Sequence, residues 1–104
     1  MSGVPLSMED RMTTVSRLWG EHLKQPFPSR LRSVEVAGVE MVMLDANVAG
    51  CVSTWLNNGG DLDGWRRDAL ATCERQLERV VPELADREAA YYQRLLDMTV
   101  LVLG

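Results

Sequence analysis

The ten residues Leu56 to Trp65, "LNNGGDLDGW", hold two Asp, two Asn and three Gly. Oxygen-bearing side chains at such short intervals are the raw material of a hard-cation site. A helix-loop-helix calcium loop needs acidic or amide ligands at alternate positions, a Gly at the sixth and a carboxylate at the twelfth. With Asp61 third and Asp63 fifth, Gly64 falls sixth, but Gly59 and Leu70 take the first and twelfth places. Neither side chain coordinates a cation. Capping rules account for the same residues: Gly59 and Gly60 close one helix, Leu62 anchors the turn and Asp63 opens the next. The stretch reads as a corner, and no metal site is expected.

The other reactive residue types are equally sparse. His22 is the one histidine and adjoins Glu21. A nucleophile–His–acid triad is assembled by the fold, so sequence spacing alone does not settle it. No Gly-x-Ser-x-Gly elbow and no Cys-centred signature accompany His22. Cys51 and Cys73 match no zinc spacing. Across an antiparallel helix corner they would be offset by about 6 Å along the axis, which disfavours a disulfide. They read as buried free thiols. Glu88 is followed at the i+3 position by Tyr91 where a ferritin-like dimetal site would carry His. There is no phosphate-binding glycine loop. No catalytic set and no cofactor is expected.

Two features are less ordinary. Between Glu21 and Glu35 there is no acidic residue, while Lys24, Arg30 and Arg32 all fall there. With Phe27 held between Pro26 and Pro28, this makes a local positive island suited to an acidic partner segment or a small anion. The competing reading pairs its arginines with Glu35, Glu40 or Asp45 as weak surface ion pairs. A ligand pocket between helices would draw on Trp19, His22, Arg30, Arg32 and Asp45. The second feature is the C-terminal "TVLVLG", apolar almost all round. A helix of that kind is buried on most sides, either by its own chain or by a second subunit. Tyr92, Leu96 and Leu103 are the interface candidates in the second case.

The elements that must position these residues follow from periodicity. Ser7 caps a first helix, with Asp10 three residues on, and Met8, Met12, Val15, Leu18, Trp19 and Leu23 lie on one face. Lys24 suits the negative helix end and Pro26 stops the run. "QPFPSRLR" is a loop with Phe27 folded onto the core. Residues 33–44 alternate as a strand pair around Ala37-Gly38, although a helical register from residue 39 onward also fits. Asp45 is placed as the cap of a second helix over 46–58. A third starts near Asp63 with the stripe Trp65, Ala69, Leu70, Cys73, Leu77, Val80 and Val81, and Pro82 ends it. Asp86 caps a fourth, helped by Glu88. The fold expected is mostly α: a four-helix bundle-like domain over residues 7–104, with a short β-hairpin or extended segment between helices 1 and 2. Residues 1–6 are expected to form a loose tail.

Composition bounds the partners. The 104 residues suit one domain, and 46% hydrophobic content supports a core without staples. A net charge of −4 disfavours nucleic acid. No leader pattern and no apolar run of membrane-spanning length is present, so a cytoplasmic location without membrane contact is expected. Ten of the eleven basic residues are Arg, as GC-rich codon usage tends to produce. "LWGEHLKQPFPSRLR" followed by "LDANVAGCVSTWLNNGG" resembles small proteins of high-GC actinobacteria. From Leu18 to the C-terminal helix, that resemblance implies a stand-alone cytosolic protein and carries over no catalytic residue. The function expected is a non-enzymatic protein-protein interaction module that self-associates as a homodimer or binds another protein. The alternative is a small-molecule or anion-binding protein, or an enzyme, with a pocket near His22, Arg30, Arg32 and Asp45.

Overall fold

Ser7 starts the first helix, as its type and position predict. Its hydroxyl accepts from the Asp10 amide at 3.0 Å, and α1 runs Met8–Leu23. A computed structural model describes residues 6–104. Apart from Leu6, which is exposed, the tail expected over residues 1–6 lies outside the described residues. Lys24 forms the C-terminal cap of α1. The loop that follows contains one 3-10 turn, Ser29–Leu31, which drives Leu31 fully into the core.

The strand pair is real and short. β1 (Glu35–Val36) and β2 (Val39–Glu40) are antiparallel, with Glu35 opposite Glu40 and Val36 opposite Val39. Ala37 and Gly38 form the turn with φ of 50° and 77°. Positive φ at both central residues matches the hairpin turn whose twist suits the flanking strands. β2 runs directly into α2 (Met41–Asn57). The helix therefore begins five residues before the expected position, and Asp45 is not its cap. Glu40 caps it, accepting from the amides of Val42 at 3.0 Å and Met43 at 3.1 Å. The strand's last residue thus serves both elements and leaves Asp45 inside the second turn.

Gly59 and Gly60 end α2 with φ of 67° and 94°. The Gly60 amide reaches back to the Trp55 carbonyl at 2.8 Å. Leu62 is buried, as an anchor should be. α3 spans Gly64–Val80, and Asp63 occupies the cap position without bonding the helix amides. Its carboxylate pairs with Arg66 instead. The expected α3 stripe needs two corrections: Trp65 is 66% exposed and Ala69 is exposed as well, whereas Leu70, Cys73, Leu77 and Val80 are buried. A 3-10 turn, Val81–Glu83, carries Pro82 at the end of α3. α4 runs Asp86–Leu103, with Ala85 at the cap position and no side chain bonding its first amides. Asp86 sits at φ 51° and is not the cap expected of it.

α4 packs against all three other helices, α2 packs against α3, and α1 against α2 more lightly. Arg11 in α1 donates to the carbonyls of Leu101 at 2.8 Å and Val102 at 2.9 Å, and its guanidinium lies over the Trp55 ring. Arg67 in α3 donates to the Leu103 carbonyl at 2.8 Å. Two neighbouring helices thus satisfy the last carbonyls of α4, which no residue of α4 itself bonds. Most of the wide apolar stripe of α4 is consumed inside the chain, with Val100 left 48% exposed. Tyr92, Leu95, Met98, Thr99 and Val102 are fully buried. No helix among the described residues is long and apolar enough to cross a membrane.

Candidate functional site

His22, at the end of α1, and Asp45, in the second turn of α2, meet where these antiparallel helices close the bundle. Nε2 of His22 lies 3.3 Å from Oδ1 of Asp45. Tyr91 of α4 donates its hydroxyl to Oδ2 of the same carboxylate at 3.1 Å. The His22 ring sits 4.5 Å from the Tyr91 ring and stacks on Trp19 at 6.2 Å. Trp19, His22 and Asp45, three of the five residues expected around an interhelical pocket, are therefore brought together. Tyr91, not singled out from sequence, completes the cluster from 46 residues beyond Asp45. Its neighbour Tyr92 donates to the Met41 carbonyl at 2.8 Å. Burial first, and the negative Asp45 second, hold both phenols well above their ordinary value of 10.0.

The chemistry open to this cluster is narrow. A His–Asp pair orients an imidazole for proton transfer when the other ring nitrogen faces a nucleophile or substrate. Nδ1 of His22 is buried and has no hydrogen-bond partner among the described residues. The cleft that reaches Tyr91 encloses about 40 Å³, bounded by Gln25, Pro26, Pro28, Arg87, Ala90 and Arg94. That is the space of a water molecule or two, far below the few hundred Å³ of a ligand pocket. What the geometry does provide is a polar tie joining α1, α2 and α4 inside an aromatic cluster.

Of the positive island Lys24, Arg30 and Arg32, Arg30 is ion-paired. Arg30 makes a two-pronged contact with Glu88, Nε to Oε2 at 2.8 Å and Nη2 to Oε1 at 2.7 Å. The expected partners Glu35, Glu40 and Asp45 are thus replaced by a residue 58 positions away. The paired hydrogen bonds lower the Glu88 pKa and raise that of Arg30. Arg32 stands 5.9 Å over the Phe27 ring, which packs edge-on against Tyr91 and Tyr92. Lys24 is exposed at the end of α1. Neither Arg30 nor Arg32 joins His22 and Asp45. An open groove of about 310 Å³ runs between this loop and the start of α4, with Arg30, Arg87 and Glu88 on its walls.

Of the C-terminal interface candidates, Tyr92 has no exposed surface, and Leu96 and Leu103 are half-buried against the core, because α4 is the helix the other three surround. Cys51 and Cys73 are buried free thiols on facing helices. The Cys51 thiol donates to the Arg66 carbonyl at 3.7 Å. Burial pushes the thiol of Cys73 up to about 11. Asp61 is exposed and Asp63 is taken by Arg66. Among the described residues no three His, Cys, Asp or Glu side chains gather as metal ligands.

A surface without charged side chains lies elsewhere, along the outer side of α2. Val42 and Met43 are 39% and 55% exposed, and Ala46, Asn47, Gly50 and Asn57 continue the strip. Across residues 41–57 the one charged side chain is Asp45, and it is turned inward to His22 and Tyr91. The solvent side of α2 is therefore free of charge over its whole length. Beside it, α2 and α3 enclose a groove of about 330 Å³ whose walls include Ala46, Gly50, Cys51, Thr54 and Ala69. Trp65 stands at its rim with the Arg66 guanidinium 4.4 Å over its ring. The sequence signal for this face was the lack of any Arg, Lys or Glu in residues 41–57, a run read only for its apolar spacing.

In comparisons with protein-family models, curated proteins and solved structures, no match to this chain is found.

Proposed function

We propose that the protein is a non-enzymatic helical interaction module and that it docks through the outer face of α2 and α3. The observation that carries this reading is the uncharged, solvent-facing side of α2 beside the exposed Trp65. The exposed face of a surface helix ordinarily carries charged side chains, and this one carries none. The centres of protein interfaces are depleted of charge and enriched in Trp, Arg and Met, the types gathered here. Burying an apolar side chain the size of Met43 contributes about 2 kcal/mol, so a few such residues suffice for specific docking. The His22–Asp45–Tyr91 tie supports the same reading from the inside, because it locks α1, α2 and α4 into a rigid platform for the face.

The direct test is a photo-cross-linking amino acid placed at Asn47, in the middle of the face, and separately at Gln93 on the exposed side of α4. The expected result in the native cell is an adduct from position 47 and none from position 93. Equal absence of adducts at both positions counts against the proposal.

A second reading, binding of a small anion, draws on the groove between the loop and α4. One observation favours it: Arg87 and Arg30 share a wall of that groove, while only Arg30 is held by Glu88. Inorganic phosphate at millimolar concentration distinguishes the two readings. The interaction reading expects no rise in melting temperature, and a saturable rise supports the anion site.

A further inference from the structure

We infer that the occupant of the α2–α3 face is a second copy of this chain, docked about a two-fold axis so that each Trp65 enters the groove beside its partner's Gly50. The inference rests on the interaction reading above and names the partner that reading leaves open.

Three features of the face argue for a copy of itself. The first is shape. An isologous interface needs a projection and its matching recess on one and the same surface. The face has both, because Trp65 is 66% exposed at the rim of the groove that Ala46, Gly50 and Ala69 line. A Cβ added at Gly50 would meet nothing within 4 Å, and this glycine has no positive φ. Nothing inside the chain therefore requires a glycine there, although Gly in an exposed helix costs about 1 kcal/mol relative to Ala. Gly50 leaves the groove open to an approaching side chain.

The second is charge. Each copy carries a net charge of −4, and a contact surface that bears no charge adds no like-charge pairs to the repulsion between copies. Asp45 is turned away from the face, and Arg66 at the rim is compensated by Asp63. The α2 strip is electrically compatible with its own image, and the exposed Arg67, Asp68, Arg75, Glu78 and Arg79 of α3 flank it as a rim of mixed sign.

The third is size. α2 and α3 are 17 residues each, so each is about 25 Å long, and together they are about 20 Å wide. That is a flat footprint on the order of 500 Å². Side-chain relief, with the indole as its largest projection, carries the accessible area towards the ~600–1,000 Å² per partner of a specific complex.

The test is the mass of the full chain by light scattering over a wide concentration range, for the wild type, Trp65→Ala and Gly50→Leu. The wild type is expected at twice 11.7 kDa. Trp65→Ala removes the projection and Gly50→Leu fills the recess, and each should weaken dimerisation by roughly 30-fold or more. Mixing the two variants should restore part of the association, since one intact Trp65 then meets one intact Gly50 groove. Trp65→Ala alters an exposed residue and keeps the fold, so the result does not hang on Gly50→Leu folding. A wild type that stays monomeric at millimolar concentration overturns the inference. So does a dimer indifferent to Trp65→Ala. A monomer that still yields an Asn47 adduct with a different protein overturns the second copy and leaves the interaction reading standing.

Discussion

Asp45 holds His22 at 3.3 Å through one carboxylate oxygen and Tyr91 at 3.1 Å through the other. One side chain of α2 therefore fastens the end of α1 to the start of α4. Replacing it with Ala leaves the His22 Nε2 and the Tyr91 hydroxyl without a partner in a largely buried setting. A buried polar group left unpaired costs about 1–3 kcal/mol. Asp45→Ala should destabilise the fold by about 2–3 kcal/mol, and Tyr91→Phe by about 1 kcal/mol. Urea unfolding with an unchanged denaturant slope measures both. An Asp45→Ala variant as stable as the wild type would show that the tie is not structural.

The two tyrosines set an alkaline limit. Their folded pKa lies above the ordinary 10.0, through burial first and the Asp45 charge second. For a group shifted in this direction, the stability it contributes is complete below pH 10.0 and is lost as pH climbs beyond it. Tyrosinate absorbance should therefore stay flat past pH 10 and rise together with loss of the helical circular dichroism signal. Ionisation of both tyrosines near pH 10 with the fold intact would contradict their burial.

On the acid side the relevant pair is Arg30–Glu88. The Arg30 hydrogen bonds hold the Glu88 carboxyl below its ordinary 4.5. A depressed carboxylate contributes stability above pH 4.5 and loses it as pH falls through the lowered value. Arg30→Ala should lower the melting temperature slightly at neutral pH, and the difference from wild type should shrink as pH drops below 4.5. A gap that widens with acid would refute the assignment. The effect is small because Arg30 is mostly exposed to solvent.

Thiol chemistry reports on the α2–α3 seam. Burial raises both cysteines, Cys73 to about 11, so little thiolate exists at neutral pH. Neither thiol should react with a disulfide reagent in the folded protein, and both should react in denaturant. Rapid labelling of native Cys51, at the wall of the groove, would mean that the face opens more than its packing implies.

Most of the bundle was legible from spacing, because buried residues three and four apart mark a helix wherever the stripe is unbroken. The hairpin was legible too, because Ala37-Gly38 interrupts an alternating run. What misled was local resemblance between residue types. Asp45 has a capping side chain, but Glu40, closing the strand, reached the free amides first. Trp65 is spaced to join Ala69, yet both face outward while Leu70, Cys73 and Leu77 turn in. The His22 and Asp45 partnership was within reach of a pattern argument. The Tyr91 and Glu88 contacts were not, since nothing local records which distant residue a fold will bring alongside. The uncharged side of α2 was hidden for a different reason: its signal is missing charge, which a search for apolar periodicity absorbs as core.

Self-association through the α2 face is tested most directly by one comparison, sedimentation velocity of the wild-type chain against Asn47→Glu. The substitution sets a single charge in the middle of the uncharged face, at an exposed helical position where Glu is well tolerated. The prediction is an associated species for the wild type and its loss in the variant, with both chains melting at nearly the same temperature. Identical sedimentation of the two chains would contradict it.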